Sequence, residues 1–87
     1  MICYLLYNKG TPGELQAAEL NEQLRQDQVE TELLDADTVR GIQLAENYDV
    51  LGRPAVLLVK TDGALVKLWQ GEEGLPAVSE VAYAVHQ

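Results

Sequence analysis

Eighty-seven residues suit a single domain, since domains run from about 50 residues upward, and a chain this short buries only roughly 60% of its unfolded surface. Fourteen acidic against six basic residues leave a net charge of −8, which repels phosphate backbones and anionic membranes and sets nucleic acid aside as a partner. One cysteine excludes an internal disulfide framework and a cysteine-built zinc site, while the lack of Phe leaves Leu, Val, Ala and four Tyr to fill the core.

Ile2 to Tyr7 is an almost wholly apolar run of strand formers, the pattern of an interior strand buried on both faces. Cys3 lies inside it, where a free cysteine is a packing residue rather than a reactive one. Tyr4 and Tyr7 fall on opposite faces of that strand. Asn8-Lys9-Gly10 breaks the run. Thr11-Pro12-Gly13-Glu14 then predicts a helix start, with Thr11 as N-cap, Pro12 at the first helical position and Glu14 closing a capping box. That helix is expected to reach Gln26 or Asp27, with Ala17, Leu20 and Leu24 on its apolar stripe.

Val29, Thr31 and Leu33 alternate with Glu30 and Glu32, predicting a strand with one wet face. Asp35-Ala36-Asp37-Thr38 supplies loop and cap chemistry for a second helix over about Val39 to Tyr48. Gly52-Arg53-Pro54 interrupts the chain before a β-branched and leucine-rich strand from Ala55 to Lys60. Thr61-Asp62-Gly63 is a turn of the Asp-Gly hairpin kind, and Ala64 to Trp69 returns antiparallel. Gly71 and Gly74 flank an acidic loop, and Pro76 opens a last helix with Val78, Val81, Ala82 and Val85 facing inward. The single His86 is a solvated end residue, and Trp69 is core or covers a sheet edge.

The order is β-α-β-α-β-β-α, an α/β domain spanning residues 1–87 without repeat or linker. Its first two strands are expected to be parallel, because a helical crossover joins them. The last two form a hairpin, and the four-stranded mixed sheet carries helices on both faces. Neither a basic leader nor a run of roughly 18 apolar residues is present, and an unpaired thiol fits a reducing compartment, so a cytoplasmic location is expected.

Three segments carry a resemblance to the thioredoxin-like family in its glutaredoxin-sized form. Asp35-Ala36-Asp37 resembles the acidic loop after that family's second strand. Leu44-Ala45-Glu46-Asn47-Tyr48-Asp49-Val50, followed by Gly52-Arg53-Pro54-Ala55, resembles the stretch leading to its cis-proline. Asp62-Gly63 and Trp69-Gln70-Gly71 resemble its terminal hairpin. The resemblance implies a cis bond before Pro54, with the backbone of Arg53 pairing with an extended peptide; the Arg53 guanidinium itself is either an anchor for such a peptide or a carboxylate, or a surface group paired with a nearby Glu or Asp.

Aligning Pro12 with the proline of the family's Cys-Gly-Pro-Cys puts Gly10 and Gly13 at the cysteine positions. Thiol–disulfide exchange needs a thiolate there, so its usual chemistry is not expected. No other catalytic constellation, cofactor motif or metal-binding loop is evident; Asp35, Asp37 and Glu72-Glu73 read as solvated carboxylates.

The expected function is therefore a redox-inactive domain that binds a protein or peptide at the cis-proline loop. Gly10, Thr11, Pro12, Gly13, Arg53 and Pro54 are the candidate site residues. The alternative is a small-molecule protein or enzyme holding glutathione or another anion at the helix N-terminus over Gly10 to Glu14. A third reading is a regulatory module, because Gly10-Thr11-Pro12-Gly13 is similar to the cysteine-free start of the KaiB clock proteins and related sensor domains. Pairing of an open sheet edge with a second copy is a further option.

Overall fold

The computed structural model describes residues 1–70 and 74–86, so Gly71 and the carboxylates of Glu72-Glu73 lie outside the described residues. Seven elements follow in the order β1 (Ile2–Tyr7), α1 (Pro12–Gln26), β2 (Thr31–Asp35), α2 (Val39–Asn47), β3 (Ala55–Val59), β4 (Leu65–Gln70) and α3 (Val78–Val85). The sheet order is β2-β1-β3-β4. β1 runs parallel to β2, with Leu5 beside Leu33, and antiparallel to β3, with Leu5 beside Val56. β3 and β4 pair antiparallel. The predicted mixed four-stranded sheet is thus observed, and β2 and β4 form its edges.

Period-two alternation divides the interior strands between two cores. Cys3 and Leu5 of β1, with Val56 and Leu58 of β3, pack on one side against Leu20 and Leu24 of α1 and Val81 of α3. Leu6 of β1, with Ala55, Leu57 and Val59 of β3, packs on the other side against Ala45 of α2. All five residues of β3 are buried, which is why this segment reads as an unbroken apolar run. Burial of each of its Val and Leu side chains contributes about 1.5–3 kcal/mol. Trp69 joins the first core, and β2, at an edge, has no fully buried residue.

Three local expectations are corrected. Thr11 is the N-cap of α1 but makes no side-chain cap bond. Its hydroxyl donates to the Asn8 carbonyl at 2.6 Å, while the Glu14 carboxylate accepts from the Gly10 N–H at 2.9 Å. The carboxylate therefore closes a turn one residue upstream of the box the spacing predicts. Pro76 does not open α3, whose N-cap is Ala77. There Glu80 reaches back to accept from the Ala77 N–H at 3.3 Å, and Ala84, rather than Ala82, packs with Val78 and Val85 on the first core.

The hairpin turns at Thr61-Asp62-Gly63, as expected. Lys60 N–H donates to the Ala64 carbonyl, and Gly63 N–H donates to the Lys60 carbonyl, both at 2.9 Å. Gly63 alone in this turn takes a left-handed φ, at 92°, whereas a two-residue type I′ turn would require a positive φ at Asp62 too. The connection is a three-residue loop, and the register slips between Leu58 and Val59 just beyond it.

Helix α2 starts as predicted. The Thr38 hydroxyl accepts from the Gly41 N–H at 3.1 Å, and the Asp35 carboxylate accepts from the Asp37 N–H at 2.9 Å. Helices α1 and α2 are followed by left-handed residues that are not glycine, Gln28 at φ 64° and Asp49 at φ 55°.

Candidate functional site

The candidate site lies at the carboxyl end of β1. Strand β1 delivers the chain into the Asn8-Lys9-Gly10 turn, and the Tyr7 carbonyl accepts from the Ala36 N–H at 2.8 Å, holding the loop after β2 alongside. Gly10 has φ 80°, a left-handed conformation that costs an L side chain about 1–2 kcal/mol. Gly10, Thr11 and Pro12 are exposed, and Gly13 is buried.

What buries Gly13 is Pro54. A Cβ placed on Gly13 would stand 3.0 Å from Pro54 Cδ and 3.2 Å from Cγ. The N-terminal turn of α1 and the segment before β3, some forty residues apart in sequence, therefore meet without a side chain between them. The Arg53–Pro54 peptide bond is cis. Of the six candidate residues, Gly13 and Pro54 make this direct contact; Gly10, Thr11 and Pro12 flank it on one strand of the chain and Arg53 on the other.

Gln70 completes the loop and was not singled out from the sequence. Its side-chain carbonyl accepts from the N–H groups of Leu51 at 2.9 Å and Gly52 at 3.1 Å. The β3–β4 register puts Gln70 opposite Ala55, the residue after Pro54, so the end of β4 holds the segment entering the cis bond. Leu51 itself is 86% exposed.

Arg53 is partly buried. Its Nε–H is shut off from water and has no hydrogen-bond partner among the described residues. The one ion pair among those residues joins Arg40 to Glu32, and it raises the Arg40 guanidinium through a hydrogen bond and the adjacent charge. The surface pairing that an arginine in so acidic a chain would ordinarily find is therefore absent from Arg53 within the described part of the molecule.

Solved structures share this arrangement of strands and helices. A malarial protein matches with a TM-score of 0.72 at 12% identity, covering 98% of this chain and 92% of that one. Thioredoxin 1 from Thermosipho africanus matches with a TM-score of 0.71 at 13% identity, over 99% of this chain and 91% of that one. A thioredoxin from Thermus thermophilus matches at 0.61 with 21% identity, over 98% of this chain and 71% of that one. The chain has the thioredoxin-like fold. No protein-family model and no curated relative matches it by sequence.

Within this thioredoxin-like fold the only thiol is Cys3, which is fully buried. Burial pushes it up from 9.0 to about 12, far from the thiolate that exchange chemistry requires. No cluster of three or more His, Cys, Asp or Glu side chains able to hold a metal occurs among the described residues. No helix among the described residues is long and apolar enough to cross a membrane. A groove of about 400 Å³ lies elsewhere, between β4 and α3, lined by Lys67, Trp69, Glu80 and Tyr83. It is open, holds no unpartnered buried polar group, and does not adjoin the Gly13–Pro54 contact.

Proposed function

We propose that this thioredoxin-like domain is redox-inactive and binds a protein or peptide partner as an extended segment along the cis-proline loop. The observation that carries this reading is the Gly13–Pro54 contact. A loop seated directly on the helix terminus, with its preceding amides held by Gln70, presents fixed backbone to a ligand. Recognition through main-chain bonds requires such pre-organisation, since ordering a loose loop subtracts from affinity. The buried, protonated Cys3 supports the absence of redox chemistry. A cytoplasmic setting, and a partner that is neither nucleic acid nor membrane, belong to the same proposal.

Glutathione or another anion at Gly10 to Glu14 is the weaker reading, because the Glu14 carboxylate already occupies the Gly10 N–H and repels a second negative charge. No separate observation favours a KaiB-like module or strand pairing with a second copy.

Amide chemical-shift mapping tests the proposal. Pooled extended peptides are expected to move the amides of Leu51, Gly52, Arg53 and Ala55, whereas glutathione leaves those of Gly10, Thr11, Gly13 and Glu14 unmoved. Disulfide reduction by the domain should match that of its Cys3→Ser variant. Peptide pools that move no loop amide would sink the binding reading, and reduction well above Cys3→Ser would sink the redox one.

A further inference from the structure

We infer that the outer edge of β4 is a second interaction surface, independent of the cis-proline loop, and that it takes an extended strand of a partner protein carrying a carboxylate opposite Lys67. Strands β2 and β4 bound the sheet, and among the described residues β4 pairs only with β3. A six-residue strand with one neighbour leaves a row of backbone donors and acceptors open along its other side. The two edges differ in what they present. β2 contains Glu32 and Asp35 and follows Glu30, charges that deter strand addition. β4 opens with Leu65 and Val66, which are 40% and 38% exposed.

The groove of about 400 Å³ adjoins the same strand, between Lys67 and Trp69 on β4 and Glu80 and Tyr83 on α3. Lys67 and Trp69 are two apart and share one strand face, with the ammonium 5.9 Å from the indole centroid. A strand added to β4 sends alternate side chains to this face. One meets Lys67 across the seam, and the next on that face reaches the groove beside Tyr83, which is 70% exposed. Lys67 has no carboxylate within ion-pair distance among the described residues. A Glu or Asp on the added strand is its complement, and an aromatic residue two places on suits the groove.

The same lysine argues against a second copy as the occupant. Pairing two β4 edges would set a lysine from each chain on one seam and join two molecules of net charge −8, and both effects oppose association. A lysine in mid-edge guards against indiscriminate strand pairing; here that guard also selects, because an acidic strand converts the repulsion into a cross-strand pair. The long-range field of the protein opposes an acidic ligand, so the selection acts at contact range rather than by steering.

The test titrates the intact, isotope-labelled chain with acetylated and amidated peptides of about seven residues, an ordinary strand length. Thr and Val alternate in them, with Glu, Gln or Lys at the centre and Tyr two places on. The amides of Leu65 to Gln70 are expected to move, and those of Leu51, Gly52, Arg53 and Ala55 to stay. Glu peptides should bind about fivefold more tightly than Gln peptides, the upper range for one opposite-charge cross-strand pair, and Lys peptides most weakly. Lys67→Glu, checked for an unchanged melting curve, should reverse that order, and Lys67→Gln should level it. Replacing the peptide Tyr by Ala should weaken binding to wild type more than binding to Tyr83→Ala. A Glu preference unchanged in Lys67→Glu overturns the inference, as does the absence of any shift in β4. Shifts confined to the cis-proline loop overturn it too, while leaving the loop reading standing. Broadening of β4 amides with protein concentration and no peptide identifies a second copy as the occupant and likewise overturns it.

Discussion

Restoring the two cysteines of the thioredoxin motif, Gly10→Cys with Gly13→Cys, is expected to destabilise the domain rather than simply return its chemistry. The costs arise separately. Nothing lies within 4 Å of a Cβ on Gly10, but its φ of 80° is unfavourable for any L side chain, by about 1–2 kcal/mol. At Gly13 the backbone is helical, and an added side chain would gain up to about 1 kcal/mol in helix propensity. Against that, its Cβ would press the Pro54 ring at 3.0 Å; the ring is part of a loop tied down by Gln70, and overpacking of this kind costs about 1–3 kcal/mol. The sum is about 2 kcal/mol, or roughly 10 °C in melting temperature for a domain of this size.

Gly13→Ala is the discriminating variant, because propensity and packing predict opposite signs for it. Thermal melting followed by circular dichroism, with urea titration as a second measure, should show Gly13→Ala below wild type and Gly10→Ala about 1 kcal/mol below it. A melting temperature raised in Gly13→Ala would refute the idea that the helix terminus is built around Pro54.

Gln70→Ala removes the acceptor for two amides, and hydrogen exchange at Leu51 and Gly52 should quicken about fivefold, the equivalent of roughly 1 kcal/mol; unchanged exchange would mean that Gln70 does not hold the loop. Tyr48→Phe deletes the hydroxyl that donates to the Gly63 carbonyl at 2.7 Å, and urea unfolding should register a loss of about 1 kcal/mol. Cys3 keeps its proton in the folded state up to about pH 12 but releases it near 9.0 when unfolded. Its contribution is thus complete below pH 9 and is lost as the pH climbs toward 12. Stability should fall more steeply above pH 9 in wild type than in Cys3→Ala, and the native thiol should react with a disulfide reagent only at the rate of unfolding.

The fold was legible because its strong signals are local and redundant. β1 and β3 announce themselves as apolar runs, and Ala17, Leu20 and Leu24 mark one helical face. Thr38 caps α2 as its sequence context requires. The misread positions depend on backbone dihedrals that spacing does not encode. Glu14 sits three residues after Thr11, yet the left-handed Gly10 swings its own N–H within reach of that carboxylate. The site was legible only in part. Gly13 and Pro54 were marked by resemblance, but their contact is a tertiary fact, and Gln70 reaches across 18 and 19 residues to the amides it holds. No short-range pattern reports an interaction of that span.

The surface formed by Gly10, Thr11, Pro12, Gly13, Arg53 and Pro54 contains no sulfur, and the one cysteine lies sealed in the sheet. Peroxide, glutathione disulfide and reductants alike find no atom to modify there. If the proposed peptide binding holds, a partner on this surface would be held with the same strength under oxidative stress as at rest. On the proposed reading, attachment at this surface would stay constant through changes of redox state.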